Sequence, residues 1–166
     1  MNEKARGEGF FAKTETHAYQ SPGSVIGQFY DDSCVAACCR MLLCDDAGDV
    51  AEAVLRSALQ TEQGAYLSAV PAVLWRFRLP GYVYRSRLAL VELQTATEQR
   101  PALVTVKHRF DDVDTHALLV DRITSQSVFL RDPLPEGIGS AYCVSLETFL
   151  NVWLRDSGTG RAVIVG

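Results

Sequence analysis

Apolar positions in the first part of the chain recur at helical spacing. Across residues 32–44, Val35, Cys38, Met41 and Leu42 fall on one face. Asp32 or Ser33 stands where an N-cap is expected, and Asp45-Asp46-Ala47-Gly48 ends the run. A second helix is predicted over 50–59. Gly64 breaks the chain, and 67–77 reads as a third helix, with Pro71 in its first turns, where proline is tolerated. Pro80-Gly81 marks a turn before a short strand over 82–85, and 90–97 reads as a short helix. The pattern changes at Pro101. Residues 102–106 form an apolar, β-rich run, and Asp111-Asp112-Val113-Asp114 an acidic loop. Residues 116–123 and 127–131 are strand-like, and the short link Thr124-Ser125-Gln126 predicts a hairpin. Pro133, Pro135, Gly137 and Gly139 make an irregular loop. A strand over 142–144, a helix over 146–154 capped by Ser145, and a last strand over 162–165 complete the chain. Helices first and an antiparallel sheet second is the α+β pattern. Residues 1–24 are polar, contain the turn Ser21-Pro22-Gly23-Ser24, and read as a flexible lead-in; 25–166 read as the domain.

Composition narrows the function. A length of 166 residues fits one domain plus a tail, and 48% hydrophobic with 22% charged residues excludes wholesale disorder. A net charge of −4 gives no reason to expect nucleic acid or an anionic membrane surface as partner. No stretch approaches the roughly 20 apolar residues of a membrane span, and residues 1–9 lack the apolar core of a secretory signal. The cysteines change the picture. There are five, and four of them (Cys34, Cys38, Cys39, Cys44) crowd the first helix. An odd number with an adjacent pair on a helix does not make a disulfide framework, so a reducing compartment is expected. The C-x3-C-C spacing does not match paired zinc ligands, and no metal or cofactor is expected. Cys38, Cys39, Cys44 and Cys143 are expected to be small buried hydrophobes.

Cys34 differs by position. At the start of a helix, unpaired N–H groups and the macrodipole favour an anion, which lowers a thiol's pKa and makes it a better nucleophile. Such a thiolate needs a base, and the base needs an orienting acceptor. If 116–123 and 127–131 pair, His116 and Asp132 lie at the same end of the sheet, as a triad requires. Gln28, six residues before Cys34, is a candidate oxyanion donor beside a backbone N–H of the helix. His108 and His17 are weaker candidates for the base, the first in a charged stretch and the second in the lead-in. Asp111, Asp112 and Asp114 are rival orienters. Phe149 and Trp153 are expected in the core, as are Trp75 and Phe77.

The run from Gln28 through Ser33-Cys34-Val35-Ala36-Ala37-Cys38 to Leu42 resembles the active-site helix of papain-like cysteine peptidases. The resemblance extends to the bacteriocin-processing (double-glycine) peptidases and the papain-fold domains of bacterial polymorphic toxins. It covers residues 25–166 and includes Thr115-His116-Ala117, Asp132-Pro133, Gly137, Gly139, Tyr142, Phe149 and Trp153. It implies a papain-like α+β fold with a helical lobe carrying Cys34 and Gln28 and a sheet lobe carrying His116 and Asp132. The implied activity is cleavage of a protein or peptide by a Cys34–His116–Asp132 triad with Gln28 at the oxyanion. Val35 stands where the processing peptidases usually have Gly, and no transporter domain follows. The free-standing domain looks more like the toxin branch. That branch implies an interbacterial effector, secreted or injected, acting in a recipient cytoplasm and met by an immunity protein. A glutamine deamidase, a leader-peptide processing enzyme and a non-catalytic peptide-binding module are the alternatives.

Overall fold

A computed structural model describes residues 9–107, 115–155 and 158–166. Three helices come first: α1 (Cys34–Asp46), α2 (Glu52–Ala58) and α3 (Val70–Arg76), the last preceded by a 3-10 turn over Leu67–Ala69. Pro71 lies in the first turn of α3, where its missing N–H has no helical partner to lose. Helices α4 (Leu90–Thr97) and α5 (Leu146–Trp153) follow among the strands, and Ser145 caps α5 by accepting from the Thr148 N–H.

Seven strands form one antiparallel sheet: β1 (His17–Ala18), β2 (Tyr82–Leu88), β3 (Ala102–Lys107), β4 (Thr115–Ile123), β5 (Ser127–Asp132), β6 (Ser140–Ser145) and β7 (Gly160–Val165). Their order is β1-β6-β5-β4-β3-β7-β2. The sheet's two edge strands therefore both come from before Pro101, so helices and sheet are less segregated than the sequence suggests. The expected hairpin is β4–β5, antiparallel with Leu119 opposite Arg131.

Strand alternation sorts the sheet into two faces. Leu103, Ala117, Leu119 and Val163 pack with α1, α2 and α3, while Val104, Leu118, Val120 and Ala162 pack with α4 and α5. Helix α1 is buried nearly all round, from Val35 to Cys39 and from Met41 to Leu43. Each such leucine side chain contributes about 1.5–3 kcal/mol, so the helix carrying Cys34 is held firmly on the sheet.

Three expectations need correction. Residues 9–24 lie within the expected flexible lead-in, yet Phe11 is buried and β1 pairs with β6. Cys44 is exposed, because it lies on the last turns of α1 where the helix turns to solvent. Trp75 is 73% exposed, since Val70, Val73 and Leu74 form the inward face of α3. Phe149 and Trp153 are fully buried, as expected.

Candidate active site

Cys34 is the first residue of α1. Ser33 occupies the cap position, but its hydroxyl caps no N–H and instead accepts from Arg56 Nη1 at 2.5 Å. The first helical hydrogen bond runs from the Ala37 N–H to Ser33 O. The N–H groups of the first turn thus stay available to an anion. The backbone N–H groups of Val35 and of Ala117 on β4 favour the anionic form of the Cys34 sulfur.

His116 and Asp132 meet as the hairpin requires. They sit diagonally across β4 and β5, and His116 Nε2 lies 2.8 Å from Asp132 Oδ1. That contact leaves Nδ1 of the ring for Cys34, whose thiol the imidazole lowers. Asp132 is fully buried and its carboxylate is saturated. Oδ1 also accepts from the Leu134 N–H at 2.9 Å, and Oδ2 accepts from Tyr142 Oη at 2.5 Å and from the Phe10 N–H at 2.7 Å.

The electrostatics follow from these contacts. Burial pushes the Cys34 thiol up, but the hydrogen bond and charge of His116, with the two backbone N–H groups, outweigh it and hold the thiol below its ordinary value of 9.0. For His116, burial favours the neutral ring; hydrogen bonds and charge from Asp132 and Cys34 win and raise it to about 9. Both shifts favour a thiolate–imidazolium pair over the neutral one. Cys38 and Cys39 are fully buried, and burial raises both thiols, Cys39 to about 12. Neither is a nucleophile at neutral pH.

Gln28 is buried, and its Nε2 donates to Tyr30 O at 2.7 Å and Asp31 O at 3.2 Å. As it stands, the amide holds the loop that enters α1. Its backbone ties that loop to the segment after Asp132, through Gln28 N to Pro133 O and Gly137 N to Gln28 O, both 2.9 Å. The approach is close enough that a Cβ on Gly27 would lie 2.3 Å from Ile138 N.

Glu52 and Arg56, one turn apart on α2, brace the same loop. Glu52 accepts the Phe29 N–H, and Arg56 bonds Asp32 Oδ1 at 2.5 Å and stacks over the Tyr30 ring. Burial raises the Glu52 carboxyl, while Arg56 lowers that of Asp32. Sequence reasoning did not single out Glu52 or Arg56; their i, i+4 spacing of opposite charge was the available signal. It also missed Phe10.

A cleft of about 1020 Å³ opens between the helical lobe and the sheet. Cys34 lies in its wall, with Asp31, Tyr66, Tyr84, Thr105 and Ala117 among the other lining residues. His17 lies exposed on β1, away from this cluster; His108, Asp111, Asp112 and Asp114 lie outside the described residues. Among the described residues, no group of three or more His, Cys, Asp or Glu side chains is arranged to hold a metal, and no helix is long and apolar enough to cross a membrane.

A helical lobe presenting a thiol from a buried helix to an antiparallel sheet is a papain-like fold. Among solved structures, the chain is similar to the peptidase domain of Streptococcus ComA, a bifunctional ABC transporter involved in quorum sensing. The TM-score is 0.66 at 20% identity, covering 84% of this chain and 95% of that one. It is also similar to a C39-like peptidase from Bacillus anthracis, with a TM-score of 0.65 at 15% identity, covering 85% and 94%. A third similar structure is a double-glycine motif protease from an AMS/PCAT transporter, solved in complex with the leader peptide. There the TM-score is 0.59 at 16% identity, covering 86% and 89%. No family model matches the chain, and no curated protein matches it in sequence.

Proposed function

We propose that the protein is a cysteine peptidase that cleaves a protein or peptide through Cys34, His116 and Asp132. The observation that carries this reading is the hydrogen bond between His116 and the buried Asp132 carboxylate, with the cleft-lining Cys34 thiol lowered by the same imidazole. The Cys34 thiolate attacks the scissile carbonyl carbon, and its oxygen becomes an oxyanion. A backbone N–H at the start of α1 stabilises that charge. Gln28 is the proposed second donor, which requires the Nε2 hydrogen now shared with Asp31 O at 3.2 Å to turn toward the oxyanion. His116 Nδ1 gives its proton to the departing amine, leaving a thioester. The neutral ring then takes a proton from water, the hydroxide attacks the thioester, and Cys34 leaves as thiolate with the imidazolium restored. Asp132 keeps the ring in the required tautomer throughout.

A peptide substrate is supported by the cleft beside Cys34 and by the similar double-glycine protease solved with its leader peptide. The finer role in this proposal is that of an interbacterial effector acting in a recipient cytoplasm and restrained by an immunity protein. It rests on the sequence resemblance of the run Ser33–Cys38 to the toxin branch. Residues 25–166 contain all the proposed catalytic groups, Cys34, His116, Asp132 and Gln28.

The test is to incubate a bacterial lysate with the wild-type chain or with Cys34→Ala and map protein N-termini by mass spectrometry. New termini with the wild type alone are expected. Side-chain glutamine deamidation without new termini would replace peptidase by deamidase. The same termini with both proteins would overturn the reading.

A further inference from the structure

The residues before β1 bear directly on the imidazole–carboxylate pair. The backbone N–H of Phe10 donates to Asp132 Oδ2 at 2.7 Å. Its ring lies parallel to the His116 ring, with 5.6 Å between centroids and 6° between planes. Phe11 anchors the segment: it is buried and sets its ring edge-on to Tyr142 at 6.0 Å, and Tyr142 itself bonds Asp132 Oδ2. Gly9 completes the fit, since a Cβ there would lie 2.5 Å from Asp132 Oδ2 and 3.0 Å from the Tyr142 ring. Each residue of Gly9-Phe10-Phe11 is thus matched to a part of the His116–Asp132 site.

The segment does not block the substrate's path. By strand alternation His116 and Asp132 share the sheet face of Leu118, Val120 and Leu130, and Phe11 and Tyr142 pack in the core on that same face. The cleft is walled by Thr105 and Ala117, which point to the opposite face, and Gly9, Phe10 and Phe11 are not among its lining residues. The N-terminal segment therefore backs the imidazole.

We propose that Gly9-Phe10-Phe11 is a strap that completes the catalytic centre, with Phe10 as a positioning residue acting through His116 and Asp132. This rests on the reading of Cys34, His116 and Asp132 as the catalytic groups. The ring keeps water from the His116–Asp132 hydrogen bond, and a hydrogen bond is stronger where the local dielectric is low. Its π-face also favours the charged imidazolium over the neutral ring. Both effects hold the proton on His116 and so favour the thiolate on Cys34. The catalytic unit accordingly begins at or before Gly9, ahead of the boundary at residue 25 that the sequence suggests.

The test uses the full chain and iodoacetamide as the probe. The alkylation rate of Cys34 is followed against pH by peptide mass spectrometry, with the exposed Cys44 as internal reference. Phe10→Ala and Phe10→Leu both keep the backbone N–H and remove the ring; Phe10→Leu also fills most of the space, which guards against misfolding. In both, the Cys34 midpoint should move up by about one unit, so that alkylation at a pH well below both midpoints slows about tenfold. Phe10→Trp should restore the wild-type profile. Folded Phe10→Leu protein with an unshifted midpoint overturns the strap while leaving the triad reading intact. A wild-type midpoint at or above the ordinary thiol value of 9.0 overturns the triad reading, and the strap with it.

Discussion

Cys34 and His116 shift each other in opposite directions, and Asp132 adds to the rise at His116. Replacing Asp132 by Asn keeps the shape but removes the charge that raises His116, and it allows the wrong ring tautomer. The expected result is a fall in kcat of about 10³–10⁴-fold, with the alkaline limb of the pH profile moved to lower pH because His116 loses its proton sooner. Steady-state kinetics on a substrate identified from the N-terminal mapping would measure both. An unchanged profile would show that the carboxylate does not govern the ring. For wild type, the active form needs thiolate and imidazolium together. Its kcat/KM should rise with pH below 9.0, as Cys34 ionises, and fall as His116 deprotonates near about 9.

The junction between α1 and the sheet depends on Arg131 of β5. This side chain is 1% exposed and bonds Asp45 at 2.7 Å, Asp121 at 2.8 Å and Ser24 O at 2.9 Å. It joins the end of α1 to β4 and to the chain that precedes α1. Arg131→Ala leaves Asp121, itself nearly buried, without its counter-charge, and the expected loss of stability is about 3–5 kcal/mol. Urea unfolding would measure it; a loss below 1 kcal/mol would mean that the three contacts contribute little. At this scale the sequence was informative where periodicity ran long. α1, α4, α5 and the β4–β5 hairpin were legible because alternation or 3.6-spacing extended over several turns or strand residues, and the hairpin alone brought His116 to Asp132. β1 was not legible, because two residues carry no period. Nor was the role of Glu52 and Arg56, whose partners lie about twenty residues earlier, across a loop.

For the whole molecule, two apolar layers on opposite faces of one sheet place the groups. The face packed against α1 brings up the thiol, and the other carries the imidazole and carboxylate, with the N-terminal strap behind them. The sequence suggested the thiol and its two partners in advance, because helix position and hairpin geometry constrain them. It gave no sign of the strap: Phe10 lies in a polar segment, and its partners are more than a hundred residues away. The proposed mechanism requires that Cys34 and His116 exist as an ion pair. The most direct measurement is the pH dependence of Cys34 alkylation in wild type and in His116→Ala. A wild-type midpoint well below 9.0 is expected, and a clearly higher one in the variant, where only the backbone N–H groups of Val35 and Ala117 remain to oppose burial. The same midpoint in both proteins would contradict it.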